Sequence, residues 1–75
     1  MKFRTLNSDY VIDIMAMTWS RQVREGQSSP LLWTNHGPLI EVPEPIVGQR
    51  CALLEGPRGL HDVIYTSTVI EVLDR

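Results

Sequence analysis

Short apolar runs, separated by clusters of turn-forming residues, recur along the whole chain. Gly, Pro, Asn, Asp and Ser gather at positions 7–9, 26–30, 35–38, 43–45 and 56–59. Turn clusters at such intervals are typical of a small sandwich or barrel. Between them, the pattern predicts strands at about residues 2–6, 10–15, 18–24, 31–34, 39–42, 49–55, 63–66 and 69–73.

The last run, VIYTSTVIEVL, shows the alternation expected of a strand with one buried face. Val63 and Tyr65 share one face, and Ile64 and Thr66 share the other. The alternation then breaks, because Val69 and Ile70 are both apolar. A flat strand does not change phase in this way. A kink or a single turn at 66–68 is therefore predicted to separate two strands, with its hydroxyl groups bonding the freed backbone.

The composition supports strands over helices. Val, Ile and Thr together number 18, whereas Ala occurs only twice. These β-branched residues pack well on a pleated sheet. Residues 13–25 are the segment in which a helix competes, since Met15, Ala16 and Met17 tolerate one. The segment lacks a clear cap, and Thr18 and Trp19 are weaker helix formers. A strand pair with a turn near Ala16 is favoured, with a helix as the alternative.

The size of the chain predicts one domain, residues 1–75, and a small core. Domains this short often need a disulfide, a metal or self-association. An internal disulfide is impossible because Cys51 is the only cysteine. Cys51, His36 and His61 match no usual zinc spacing, so no metal and no cofactor are predicted. Self-association remains, and we expect a homo-oligomer.

The net charge and the lack of a signal-peptide or membrane-spanning pattern indicate the cellular compartment and the class of partner. No stretch resembles a signal peptide or is long enough to span a bilayer, so a cytoplasmic protein without membrane contact is expected. The net charge of −2 disfavours non-specific nucleic-acid binding. Six arginines nevertheless accompany a single lysine. They are interpreted as surface ion pairs, with a local anion site as the alternative.

The stretch WTNHGP, residues 33–38, carries the most reactive-looking side chains. Asn35, Gly37 and Pro38 suit a tight reversal, and they predict the tip of a hairpin that joins residues 31–34 to 39–42. His36 could act as a general base, but no nucleophile or triad spacing accompanies it. No phosphate loop or metalloprotease motif is present, so an enzyme is not predicted.

Cysteine and histidine outside that stretch are interpreted structurally. Cys51 lies within an apolar strand and is expected to be buried and inert. His61 precedes Asp62, but neighbours on a strand face opposite sides, so a direct pair is not expected.

The tryptophans and arginines offer the best indication of a binding surface. If TWSRQVR is a strand, then Trp19, Arg21 and Val23 share one face. One tryptophan is expected in the core and the other at a surface. The predicted binding residues are Trp19, Arg21, Trp33 and His36. The tryptophans would stack on a ligand, Arg21 would pair with an anion, and His36 would donate a hydrogen bond.

The layout resembles small phage- and actinobacteria-type proteins with an N-terminal T-x-x-S-x-Y-x-x-D pattern and a C-terminal T-S-x-V-x-x-V strand. The matching positions are Thr5, Ser8, Tyr10, Asp13, Gly48, Leu53, Thr66, Ser67, Val69 and Val72. Thr68 stands where the pattern has proline. The resemblance implies a small SH3-like barrel, and it implies phage proteins that inhibit host defence. It carries over no site residues.

Taken together, the sequence predicts an all-β fold, a small SH3-like barrel of five or more antiparallel strands. The predicted function is a non-catalytic binding protein, encoded by a phage and acting in the host cytoplasm. It would inhibit a host defence system by binding a host protein or sequestering a small nucleotide-like anion. The alternatives are a structural subunit of a virion or multiprotein complex, and a small nucleic-acid-binding barrel.

Overall fold

The structure is a computed structural model, and it describes residues 1–24 and 35–75. Within these residues the chain forms one antiparallel sheet in the order β4-β3-β2-β1-β6-β5. A short 3₁₀ helix, η1, follows β5. The elements are β1 (Lys2–Thr5), β2 (Ser8–Asp13), β3 (Thr18–Val23), β4 (His36–Pro38), β5 (Arg50–Leu54), η1 (Gly56–Arg58) and β6 (Val63–Asp74).

The predicted all-β class with five or more antiparallel strands is confirmed. The sheet curls into a half-barrel. The segment after β4 crosses the open side, since Leu39 N–H donates to the Met17 carbonyl at 2.8 Å and Ile40 N–H donates to the Leu54 carbonyl at 2.9 Å. These bonds link the β3 end of the sheet to β5. The described residues contain no helix with the length and apolarity needed to cross a membrane.

The concave face of the sheet holds the core. Alternate positions of the strands bury their side chains there, and three aromatic rings form its centre. Phe3 stacks on Tyr10 with centroids 5.0 Å apart, and Tyr10 lies 6.2 Å from Trp19 in a tilted arrangement. The buried apolar side chains are Phe3, Tyr10, Ile12, Trp19, Leu39, Cys51, Leu53, Ile64 and Val69. Burial of each large one stabilises the fold by about 1.5–3 kcal/mol.

The segment around Ala16 forms a hairpin between β2 and β3, as favoured from the sequence over a helix. Asp13 Oδ1 accepts a hydrogen bond from Ala16 N–H at 2.9 Å, which closes the turn. Met17 adopts a φ of 53°, in the left-handed region that a tight reversal requires. The strand register continues from Asp13↔Thr18 to Ser8↔Val23 without a shift.

Arg24 fastens the other end of this hairpin to the turn between β1 and β2. Its guanidinium donates to the carbonyls of Ser8 and Leu6 at 3.1 and 2.7 Å, and also to that of Thr5. A further bond runs to Asp9 Oδ1 at 2.8 Å. Arginine suits this place because its planar fork carries several fixed donors.

The predicted division of the C-terminal run into two strands is wrong. β6 is continuous, and the change of phase is absorbed by register shifts against both neighbours, β1 and β5. Pairing on both sides holds the strand together where local sequence favours a break. The expected role of a hydroxyl is seen at Thr66, whose Oγ1 accepts from Cys51 N–H at 3.0 Å and donates to the Ser67 carbonyl at 2.7 Å.

The predicted hairpin tip at 35–38 is also wrong. His36–Pro38 is β4, with Gly37 paired to Trp19 and Pro38 paired to Thr18. Residues 39–42 are not a strand, and the predicted strand 31–34 lies outside the described residues. The long edge of β3 offers backbone partners to this segment, and those bonds outweigh its turn propensity.

Candidate functional site

Trp19 lies in the core, with an exposed fraction of 1%. Its indole Nε1–H donates to Glu55 Oε2 at 2.9 Å. In this conformation the ring offers no face on which a ligand can stack. One tryptophan was expected in the core, and Trp19 is that residue, although it was also predicted to stack on a ligand.

Arg21 shares the inner face of β3 with Trp19, as the strand prediction requires. It is 8% exposed, and its Nε and Nη2 groups donate to Asn35 Oδ1 at 3.2 and 2.8 Å. Burial raises the pKa of the neighbouring Tyr10 phenol, and the charge of Arg21 offsets only part of that rise. Arg21 therefore braces β3 against the residue that precedes β4.

His36 lies on the exposed side of β4, next to the exposed Asn35. Trp33 lies outside the described residues. The structure therefore brings Trp19 and Arg21 together on the inner face and leaves His36 at the surface. The predicted binding roles of Arg21, Trp33 and His36 stay predictions.

Glu55 is the polar residue that sequence reasoning missed. Its side chain is buried, with an exposed fraction of 1%. Oε2 accepts from Trp19 Nε1–H at 2.9 Å, and Oε1 accepts from His61 main-chain N–H at 3.1 Å. The sequence did carry a signal for the burial of Glu55. Alternate residues of a strand share one face, so Glu55 lies on the same face as the buried Cys51 and Leu53. The carboxylate links the end of β5 to β3 across the open side of the half-barrel.

Two glycines make room for this carboxylate. A Cβ on Gly37 would lie 1.9 Å from Glu55 Oε2, and a Cβ on Gly59 would lie 2.4 Å from Glu55 Cβ. Neither glycine has a positive φ. Glycine is needed at both positions for space and not for backbone freedom.

His61 adds an unsatisfied polar atom near this arrangement. Its Nε2 is buried and has no hydrogen-bond partner. Its main-chain N–H, however, is held by Glu55. Buried polar atoms without partners are uncommon and cost free energy. The Glu55 cluster, defined as Glu55, Trp19, Gly37, Gly59 and His61, acts as an internal clamp in which neutral donors satisfy a carboxylate.

Cys51, the other candidate reactive residue, is also buried. Burial raises the pKa of the Cys51 thiol to about 11, so the thiol stays protonated at neutral pH. This agrees with the buried, unreactive cysteine expected from the sequence. Among residues 1–24 and 35–75, no group of three or more His, Cys, Asp or Glu side chains is placed to hold a metal ion.

Most arginines of the chain already bind acceptors of the chain itself. Arg4 pairs with Asp9 and Glu71 at 2.9 and 3.6 Å. Arg50 donates to the Thr66 carbonyl at 2.8 Å. Arg21 and Arg24 are held as described above, and Arg75 donates to the Pro45 carbonyl. Arg4 and Arg24 thus form the ion pairs that were expected of the arginines. Arg21, Arg50 and Arg75 instead donate to uncharged acceptors.

Many large apolar side chains of the described residues lie at the surface. Among the described residues, 12 large hydrophobic side chains are exposed, whereas eight are buried together with Cys51. The most exposed is Met15, at 95%, beside Ile14 at 43%. Both sit at the tip of the β2–β3 hairpin, which the Asp13 hydrogen bond holds in shape. An unbranched, polarisable methionine can adapt to a partner surface.

Comparison of the chain with protein-family models, with curated proteins and with solved structures found no match.

Proposed function

We propose that this chain is a non-catalytic binding protein and that its partner is another protein. The observation that carries the proposal is the apolar hairpin tip of Ile14 and Met15. A hydrogen bond from Ala16 N–H to Asp13 Oδ1 holds the tip, yet Met15 is 95% exposed. A pre-shaped tip loses little conformational entropy when it enters a groove on a partner.

A protein partner is favoured over a small anion by the state of the arginines. Arg21 is 8% exposed and its guanidinium is bound to Asn35, and that of Arg24 is occupied by main-chain carbonyls and Asp9. Recruiting either to an anion would break bonds that hold the hairpins together. Exposed apolar side chains, in contrast, stabilise a complex when an apolar surface of the partner covers them.

The absence of catalysis is proposed on similar grounds. Glu55 and Cys51 would be the natural acid and nucleophile, but both side chains are buried among core residues. The carboxylate is committed to Trp19 and His61, and the thiol is held in its neutral form. A general acid or nucleophile must instead reach its substrate.

The proposed biological context is the one that the sequence resemblance implies. A phage-encoded inhibitor of host defence, acting in the host cytoplasm, would use the tip to occupy a surface of a defence protein. This context is supported by the sequence pattern alone.

The test is native mass spectrometry of the tagged chain purified from cells that produce it, with two variants. Met15→Asp places a charge on the tip. Leu6→Asp is the matched control, since Leu6 is 54% exposed and lies at the opposite end of β2. We expect wild type and Leu6→Asp to retain the same partner protein and Met15→Asp to lose it. Retention by Met15→Asp, or recovery of only a small anion, would contradict the proposal.

A further inference from the structure

One sulfur atom of the chain is exposed, whereas the others are shielded by the fold. One cysteine and three methionines carry sulfur, and all of them lie within the described residues. Met15 is 95% exposed and Cys51 is buried. Met1 and Met17 are partly buried and pack against the core. Oxidation of sulfur depends on access of the oxidant, so these side chains should differ in reactivity.

Cys51 carries the sulfur atom that is most easily oxidised when it is exposed as a thiolate. In the fold it is 3% exposed, and burial raises the pKa of its thiol to about 11. A peroxide therefore meets neither an accessible sulfur nor the ionised form that would attack it.

Met1 and Met17 are held beside the core by main-chain hydrogen bonds. The Met1 carbonyl accepts from Ile12 N–H at 2.8 Å, and its terminal ammonium donates to the Ile12 carbonyl at 3.1 Å. The Met17 carbonyl accepts from Leu39 N–H at 2.8 Å. A sulfoxide oxygen on either side chain would lie beside apolar neighbours, which costs free energy. The fold therefore opposes oxidation at these two positions.

The shape of the hairpin tip does not depend on the Met15 side chain. Asp13 Oδ1 closes the turn by accepting from Ala16 N–H, and Met17 supplies the left-handed backbone. Because Met15 is 95% exposed, water would solvate its sulfoxide in the free protein. Oxidation should thus change the chemistry of the tip and leave the fold intact.

We propose that Met15 is a site of reversible oxidation by hydrogen peroxide, and that the sulfoxide releases the protein bound by the hairpin tip. The sulfur lone pair attacks one peroxide oxygen, the O–O bond breaks, and the other oxygen takes up a proton and leaves as water. Sulfur loses two electrons, and the peroxide gains them. A methionine sulfoxide reductase reverses the step with a dithiol, which becomes a disulfide as the sulfoxide oxygen leaves as water.

Release of the partner follows from the polarity of the product. The thioether is apolar and polarisable, which suits an apolar groove, whereas the sulfoxide carries a strong acceptor. Burial of that acceptor without a donor is costly, so the oxidised tip favours water over the groove. The inference rests on the proposed function, because it assigns a regulation to the same tip.

The first test needs no partner. The folded wild-type protein is treated with increasing hydrogen peroxide, the peroxide is removed with catalase, and the added oxygen is located by peptide mass spectrometry. We expect the first oxygen on Met15, with the circular dichroism and the urea midpoint unchanged. A first oxygen on Met1, Met17 or Cys51 would overturn the proposal. Unfolding that accompanies oxidation of Met15 would overturn it too.

The second test uses the protein that the untreated chain retains. Its dissociation constant is measured with untreated, oxidised and reductase-treated chain. We expect the constant to rise about tenfold or more on oxidation, because a polar oxygen replaces an apolar contact, and to recover after reduction. Met15→Leu is the matched control, since leucine is apolar and cannot be oxidised, and its constant should not respond to peroxide.

The outcomes separate this inference from the proposed function. If the untreated chain retains no protein, the proposed function and its regulation fail together, and the first test still decides whether Met15 is the oxidation site. If the oxidised chain binds as tightly as the untreated chain, the regulation alone is overturned. An equal loss of binding by peroxide-treated Met15→Leu would also overturn it, because another residue would then be responsible.

Discussion

Gly37→Ala tests the clamp around Glu55 most directly. In an ordinary strand this change would stabilise the protein by about 0.5–1 kcal/mol, because alanine loses less backbone entropy than glycine on folding. Here the new Cβ would lie 1.9 Å from Glu55 Oε2 and 2.8 Å from Trp19 Nε1. Gly59 also lies against the Glu55 side chain, since a Cβ there would be 2.6 Å from Oε1. We therefore expect a loss of about 1–3 kcal/mol in the free energy of unfolding.

Removal of the carboxylate should reverse the sign of this effect. Glu55→Ala alone leaves Trp19 Nε1–H and His61 N–H without an acceptor, at about 1–3 kcal/mol each. It also vacates the space beside Gly37. In the Glu55→Ala background, Gly37→Ala should become neutral or stabilising, since the indole can shift into the vacated space.

Gly59→Ala is the control for the comparison of Gly37→Ala in the wild-type and Glu55→Ala backgrounds. The nearest atom to its new Cβ is Glu55 Cβ, at 2.4 Å. Glu55→Ala retains that atom, so Gly59→Ala should stay destabilising in both backgrounds.

The assay is urea unfolding followed by far-ultraviolet circular dichroism, with all proteins at one concentration. A domain of this size has a total stability of about 4–11 kcal/mol, so sucrose is included throughout to keep Glu55→Ala folded. With a slope of about 1 kcal/mol per molar urea, Gly37→Ala should lower the midpoint by about 1–3 M. An equal effect of Gly37→Ala in both backgrounds, or none in wild type, would refute the clamp.

Three further predictions concern the other polar contacts. Arg24→Lys keeps the charge but lacks the donors needed to bond the carbonyls of Thr5, Leu6 and Ser8 at once. We expect the free energy of unfolding in urea to fall by about 1–2 kcal/mol, and an unchanged midpoint would count against this role. Burial raises the pKa of Asp9, but the hydrogen bonds and charges of Arg4 and Arg24 outweigh it and hold that pKa below the ordinary 3.8. The stabilisation is therefore complete above about pH 4 and lost as pH falls through the lowered value, so Asp9→Asn should lose less stability than wild type between pH 6 and pH 2. With a pKa of about 11, Cys51 should react with a thiol reagent at neutral pH only after urea unfolding, and rapid labelling of the native protein would contradict its burial.

Local periodicity accounts for much of the sheet. Alternation of side chains identified β1, β2, β3 and β5 to within about two residues, and it placed Trp19 with Arg21 on one face. The turn near Ala16 was predictable because Asp13 and its neighbours carry turn chemistry of their own. These features depend on contacts between residues close in sequence.

Local signals misled where distant partners decide the outcome. The segment 35–38 reads as a tight turn, yet Gly37 serves to admit the carboxylate of Glu55, which lies far along the chain. β6 reads as two strands, yet β1 and β5 pair with it along its length. Neither partner can be seen in a short window of sequence.

The sequence by itself determined the all-β class, the inward position of Cys51 and the pairing of β2 with β3, because period-two alternation and turn residues act locally. Only the tertiary structure decided that Trp19 is a core residue, that Glu55 is its acceptor and that β5 is the last strand of the described sheet. Those features depend on which strands become neighbours when the sheet curls. Hydrogen-bond satisfaction and packing across the half-barrel settle that choice, and both act between residues remote in sequence.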